Sequence, residues 1–289
     1  DDTTPLAEWS ASVKEADAHL FSIQPPTIHN FWKNTSYRGQ ASWAGENPKF
    51  GAHISYHLGA PADSVELVVR NPNEEVVRRL DGPTETGTIH RVQWDLAHPP
   101  PPTEEEDEDG DSSVVEPDTI LPELEYPLDP KGPFVRPGTY TVTLHAGDTE
   151  QTETVEVHGD PKIDLTAEQW QEREWFLLDV LDAQRTAFHA AQRADSLHER
   201  LQSRAEAETA SDELNTLADT AQARADELGD LRGDIYGLAS VFNWSYVTQP
   251  SLRPPTETHR QRFERMRERL RAATRDLEAL ADDAQPYLD

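Results

Sequence analysis

Apolar residues recur along this chain with two different periods. Up to about residue 160 they alternate with polar residues in short runs bounded by Pro and Gly. Beyond it they return every three or four positions over long stretches with little Pro or Gly. Alternation lines one face of a strand, and a spacing of three to four lines one face of a helix. The change falls at Asp160-Pro161. The pattern predicts an α+β chain of two modules, an antiparallel β-sandwich followed by an antiparallel three-helix bundle.

In the first module, Ala52, Ile54, Tyr56 and Leu58 alternate with His53, Ser55 and His57. Val65, Leu67 and Val69 form a second run, and Val76-Val77 precedes what reads as a charged turn. Ile89, Val92, Trp94 and Leu96 form the next run. Tyr140, Val142 and Leu144 alternate with threonines, and Val155 and Val157 close the series. Short strands separated by turn signals suit a sandwich. Residues 1–40 read as an irregular linker packed on the sandwich through Trp9, Phe21, Phe31, Trp32 and Tyr37. The sandwich spans 41–160 and carries a Pro-rich acidic insert over 99–137, expected to be a long surface loop.

Residues 161–289 form the helical module. Thr166-Ala167-Glu168-Gln169 has the order of a capping box. Phe176, Val180, Ala183, Ala187, Ala190, Ala194, Leu197 and Leu201 then mark one face of a long helix, widened by Leu177, Leu181 and Phe188. A second helix carries Leu214, Leu217, Ala221, Leu228, Leu231 and Ile235. A third follows Pro254-Pro255-Thr256 with Phe263, Met266, Leu270, Ala273, Leu277 and Leu280. Three such stripes can close one core. Between the last two helices, Val241, Phe242, Trp244, Tyr246 and Val247 make an apolar connection that must dock on a neighbour.

Composition narrows the partners. With 55 acidic and 26 basic residues in 289, the formal net charge is −29. Such a surface repels nucleic acid and anionic lipid, so no nucleic-acid partner is expected. Lysine occurs only at 14, 33, 49, 131 and 162, and the other basic residues are arginine. Acidic excess with scarce Lys points to a high-salt host, where hydrated carboxylates keep proteins dispersed and salt screens their repulsion. An acidic protein from a GC-rich genome is the competing reading. No apolar run is long enough to span a bilayer, so membrane insertion is not expected. The absence of Cys excludes disulfides, zinc thiolate sites and Cys nucleophiles. The chain begins at Asp1 without Met or an apolar leader, which reads as a processed or fragmentary form.

Several phrases occur in a telling order. They are Ala18-His19-Leu20-Phe21, then Gly45-Glu46-Asn47-Pro48-Lys49-Phe50-Gly51-Ala52-His53-Ile54-Ser55-Tyr56, then His90-Arg91-Val92-Gln93-Trp94-Asp95-Leu96. Val135-Arg136-Pro137-Gly138-Thr139-Tyr140-Thr141-Val142, Asp160-Pro161 and Pro255-Thr256 follow. Together they resemble the C-terminal region of bacterial BNR-repeat, sortilin-like propeller proteins, often labelled glycosyl hydrolases or sialidase-like. The resemblance implies a fibronectin- or Ig-like sandwich and a helical segment behind a propeller, in an exported protein whose upstream propeller is this region's partner. No Asp-box (Ser-x-Asp-x-Gly-x-x-Thr/Trp) occurs here, so a hydrolase label belongs to the propeller and no catalytic residue is carried over.

The candidate sites are few. Glu105, Asp107, Asp109, Gly110 and Glu116 fit positions 1, 3, 5, 6 and 12 of a calcium loop. Glu at the first position, Ser112 at the eighth and Pro-rich flanks favour a solvated charge run instead. His53 and His57 share a strand face and could join His90 or His145 around a metal, although a polar sheet face explains them as well. His189 and His198 lack helical metal-pair spacing. Trp94 reads as core, and Trp170 and Trp175 as pins between the halves. No phosphate loop, Gly-x-Ser-x-Gly or His-Glu-x-x-His is present.

These readings assign no catalytic, cofactor or metal residue. They favour a non-catalytic accessory region. The alternatives are a carbohydrate-binding module using Trp32, Trp43 or the Phe242-to-Tyr246 loop, and a glycoside hydrolase.

Overall fold

A computed structural model describes residues 2–29, 50–102, 132–207, 211–242 and 251–288. Among the described residues there are seven strands and three long helices, an α+β chain with antiparallel sheets. Two short helices, α1 (Thr4–Glu8) and α2 (Ala11–Glu15), come first. The strands are β1 (Ala18–Leu20), β2 (Ala52–Leu58), β3 (Val65–Arg70), β4 (Val76–Gly82), β5 (Ile89–Trp94), β6 (Gly138–Ala146) and β7 (Thr149–Val157). The long helices are α3 (Ala167–Ala207), α4 (Asp212–Ala239) and α5 (Glu257–Leu288).

The chain divides into two compact units. Among the described residues, the first holds 2–29, 50–99, 132–174 and Leu252–Pro254, and the second holds the remainder. The first turns of α3 and a short piece before α5 therefore belong with the strands.

In the first unit, β1-β2-β5 form a three-stranded sheet and β4-β3-β6-β7 a four-stranded one. Alternation decides which side chains turn inward. On β2 these are Ala52, Ile54, Tyr56 and Leu58, and on β6 they are Tyr140, Val142 and Leu144, all buried. They share one core with Leu67 and Val69 of β3, Trp94 of β5, Val155 and Val157 of β7, and Trp170. The Trp94 and Tyr140 rings meet edge to face at 5.4 Å. Gly51, just before β2, has φ +113, and a Cβ there would collide with the Trp94 carbonyl, so glycine is required.

Two local features differ from the sequence expectation. The residues after Val76-Val77 are strand rather than turn, with Arg79 and Asp81 registered against Val68 and Glu66 of β3. The Arg79 guanidinium lies 2.7 Å from Glu66, so an edge strand here carries charge on its solvent side. The true turn is Asn71 to Glu74, where Asn71 Oδ1 accepts from the Asn73 and Glu75 amides. Residues 18–20 are also not linker. They pair with Tyr56, His57 and Leu58 as β1. The polypeptide before them covers the outer face of this sheet: Trp9 stands 4.9 Å from the His57 ring, and the Arg91 guanidinium donates to the Asp2 carbonyl.

The 99–137 insert leaves and returns at adjacent points. The His98 amide donates to the Pro133 carbonyl and the Val135 amide to the Leu96 carbonyl, both at 2.9 Å.

In the second unit the three stripes read from sequence form one core. Every residue of the principal α3 and α5 stripes is buried, and on α4 only Leu217 is partly exposed. Phe176 near the start of α3 meets Phe242, just past α4, and Phe263 near the start of α5. His198, late in α3, donates through Nδ1 to the Ala218 carbonyl, early in α4. Arg224 and Asp276 pair at 3.2 Å, and Asp234 and Arg269 at 3.5 Å, so α4 and α5 run in opposite directions.

Each long helix has a sequence-encoded start. Thr166 Oγ1 accepts from the Gln169 amide while Gln169 Oε1 accepts from the Thr166 amide, the reciprocal pair of a capping box. Ser211 caps α4 at the Leu214 amide, with Asp212 and Glu213 favoured by the helix dipole. At α5, Thr256 Oγ1 accepts from the His259 amide and His259 Nδ1 accepts in return. The second half of α4 is less regular in composition. Gly229, Gly233 and Gly237 recur every four residues, and a Cβ on any of them would meet open space.

Candidate functional site

The junction where β7 gives way to α3 carries a cleft of about 490 Å³ in the first unit. Arg136, Asp160, Glu168 and Trp170 are among its walls. Asp160 organises the connection: its carboxylate accepts from the Lys162 amide at 2.8 Å and its carbonyl from the Ile163 amide at 2.9 Å. Gly159 lets the backbone pass close to Pro137 and Trp170: a Cβ there would stand 3.1 Å from the one and 3.3 Å from the other, a tight fit that their side chains would have to yield to. Glu168 lies in the first turn of α3, where hydrogen bonds from its own amide and from Thr166 hold its carboxyl below the usual range. It is therefore ionised and ill suited to donate a proton near neutrality.

Beside this cleft lies a charged cluster that is largely buried. Glu174 Oε1 accepts from His98 Nε2 at 3.1 Å and from the Arg136 amide at 3.3 Å, and Arg136 Nε stands 3.6 Å from Oε2. The Arg136 carbonyl accepts from the Tyr140 hydroxyl at 2.8 Å. One carboxylate thus ties the start of the insert, the approach to β6 and the first turns of α3. Arg173 next to it is buried, and burial lowers its guanidinium to about 10, with the Glu174 charge acting in the opposite direction. The Tyr140 phenol is pushed well above its ordinary value, by burial first and by the Glu174 charge second. The raised phenol stays protonated near neutrality and the guanidinium, though lowered, stays charged there, so neither is poised for proton transfer.

The histidines considered as a metal set are not brought together. His53 and His57 do share the outer face of β2, and His57 faces His19 across β1. His90 is registered opposite Tyr56 on the inward side, where its Nε2 donates to the Glu85 carbonyl at 2.5 Å. His145 stands on β6 in the other sheet, 3.8 Å from Glu150. His57 donates through Nδ1 to the Thr88 carbonyl. Among the described residues, no three His, Asp or Glu form a group that could hold a metal. His189 is exposed beside Phe188.

The aromatic candidates separate too. Trp94 and Phe242 are buried, which leaves neither ring open to a sugar. Trp170 lies in the first unit's core, but Trp175 is 61% exposed. Five residues turn a helix by about 140°, so the two cannot pin one surface together. Trp170 falls in line with Leu177, and Trp175 points away. The proposed calcium ligands Glu105, Asp107, Asp109 and Glu116 lie outside the described residues, as do Trp32, Trp43, Trp244 and Tyr246.

The Glu174 cluster was not foreseen from the sequence, yet a signal existed. Arg173 and Glu174 occupy the positions three and four after Trp170 on the stripe that continues to Leu177 and Leu181. Charges on an apolar stripe imply buried, paired charge.

No family model matches the chain, and no curated protein or solved structure matches it. No helix among the described residues is long and apolar enough to cross a membrane.

Proposed function

We propose that this chain is a non-catalytic accessory region from the C-terminal part of an exported BNR-repeat propeller protein of a halophile. The two sheets form a fibronectin type III- or Ig-like sandwich that braces the upstream propeller, and the long helices form an antiparallel three-helix bundle.

The observation that carries this reading is the use made of the perturbed groups. Tyr140 and Glu174 hold elements of the first unit together, and Tyr56 does the same by donating to the Pro83 carbonyl at 2.6 Å. The Tyr140 bond returns to a carbonyl four residues upstream at the entry to a strand, which is the tyrosine-corner arrangement of such sandwiches. A three-stranded sheet sharing one core with a four-stranded sheet supports the same assignment. The alternating helix directions indicated by His198–Ala218 and Arg224–Asp276 support the bundle.

The decisive experiment is to determine the complete reading frame and assay the purified chain on sialyl and other aryl glycosides. A propeller encoded upstream and no turnover are the expected results. A frame without a propeller, or turnover by the pure chain, overturns the reading.

A further inference from the structure

The cleft beside the start of α3 is lined by two kinds of side chain. Pro137, Ile163, Leu165 and the buried Trp170 give it an apolar strip. Arg136, Asp160, Glu168 and Gln171 stand around that strip. All of them belong to the first unit. The volume of about 490 Å³ falls within the range of small-molecule sites, roughly 300–1,000 Å³.

The polar groups have bonding capacity left over. Asp160 Oδ1 accepts from the Lys162 amide, and Oδ2 forms no hydrogen bond among the described residues. The half-buried Gln171 side-chain amide forms none either, which leaves two donors and an acceptor unused. The Arg136 guanidinium stands 3.6 Å from Glu174 and donates no hydrogen bond among the described residues. This mixture decides which ligand fits. An anion offers no donor to Asp160 or to the ionised Glu168, and their charges repel it. A cation gains from the carboxylates, but an ammonium or guanidinium offers no acceptor to Arg136 and Gln171. A wholly apolar ligand would strip water from all four and replace none of their bonds. A hydroxyl both donates and accepts, so a neutral polyhydroxylated molecule satisfies the whole set.

We propose that this cleft binds a neutral carbohydrate of about one or two sugar rings. Sugar hydroxyls donate to Asp160 Oδ2 and Glu168 and accept from Arg136 and Gln171. The C–H face of a ring lies along Pro137, Ile163 and Leu165, whose apolar surface it covers. Trp170 backs this strip rather than serving as a stacking platform, because it is only 6% exposed. The site is separate from Trp32, Trp43 and the Phe242-to-Tyr246 loop. It goes beyond the accessory-region reading and holds whether or not a propeller lies upstream.

The test is saturation-transfer NMR titration of the purified chain with glucose, galactose, mannose, maltose, cellobiose and lactose. Saturable binding of at least one is expected, with a Kd on the order of 1 mM. No net charge is neutralised, so that Kd should change less than about twofold between about 0.1 M and about 1 M KCl. Asp160→Asn combined with Gln171→Ala should weaken binding about tenfold; the asparagine keeps an acceptor for the Lys162 amide. Ala167→Trp, at an exposed position of the lining, fills the cleft and should abolish binding. Circular dichroism and melting temperature establish that each variant is folded, and the two alter different residues, so one decides if the other misfolds. No saturable binding of any of these sugars overturns the proposal. So does undiminished binding by a folded variant, or a Kd that rises about fivefold or more with salt, the mark of a charged ligand.

Discussion

Glu174 shows how one side chain can decide the order of a region. Three groups converge on its carboxylate: the His98 ring, the Arg136 amide and the Arg136 guanidinium. Removing it leaves them without their acceptor in a largely buried place. Glu174→Ala should cost about 3 kcal/mol, because loss of one partner of a buried charge pair exposes the full desolvation of the other. Glu174→Gln keeps an acceptor and should cost about half as much; urea unfolding of both variants measures the order. Tyr56 makes a second prediction. Its phenol is raised to about 12, first by burial and second by the Glu85 charge. A raised folded value means the folded state favours the protonated hydroxyl. That stability is complete below about 10, the unfolded value, and is lost as pH rises toward about 12. Alkaline unfolding should therefore steepen across that window, and Tyr56→Phe should flatten it. A variant as alkali-sensitive as the parent would refute this.

At the scale of elements, the edge of β1 is held in an unusual way. The Gln151 side chain, from β7, accepts from the Leu20 amide at 2.8 Å and donates to the Ala18 carbonyl at 3.0 Å. One amide thus supplies both halves of a strand's hydrogen bonding and closes an edge that could otherwise recruit another chain. Gln151→Ala should lower stability by about 1–3 kcal/mol and speed exchange of the Leu20 amide; an unchanged exchange rate would show that the contact is not maintained. The same elements show what a sequence reveals. The α3 stripe was legible because its spacing repeats over many turns, so packing merely confirms a local pattern. Strand β1 was not, since three residues carry too little alternation to be told from a loop. Gln151 was invisible because its partners lie more than a hundred residues away, and nothing local marks a half-buried glutamine as a backbone mimic. The metal reading of the histidines failed for a related reason. Strand alternation places His53 with His57 correctly, but the side taken by His90 and the sheet taken by His145 are set by tertiary pairing.

For the whole molecule, a net charge of −29 is the dominant long-range term. At about 0.1 M salt charges interact over about 10 Å, and at about 1 M over about 3 Å, so self-repulsion falls steeply as salt is added. Melting temperature should rise by at least about 4 °C from dilute to molar KCl, a gain of roughly 1 kcal/mol. A flat or falling curve would contradict a high-salt host. Apolar burial strengthens with salting-out anions, so chloride rather than sulfate isolates the electrostatic part.

The glycines at 229, 233 and 237 give α4 two unequal halves. Each glycine weakens a helix interior by about 0.5–1 kcal/mol relative to alanine, and the space beside each would admit a methyl group without conflict. The three together should make the second half of α4 open more readily than its first half. Hydrogen exchange should register this as a cooperative patch over residues 229–239, opening before Leu214 to Ala225 does. Gly233→Ala alone should slow that patch, while leaving protection in α3 and α5 unchanged.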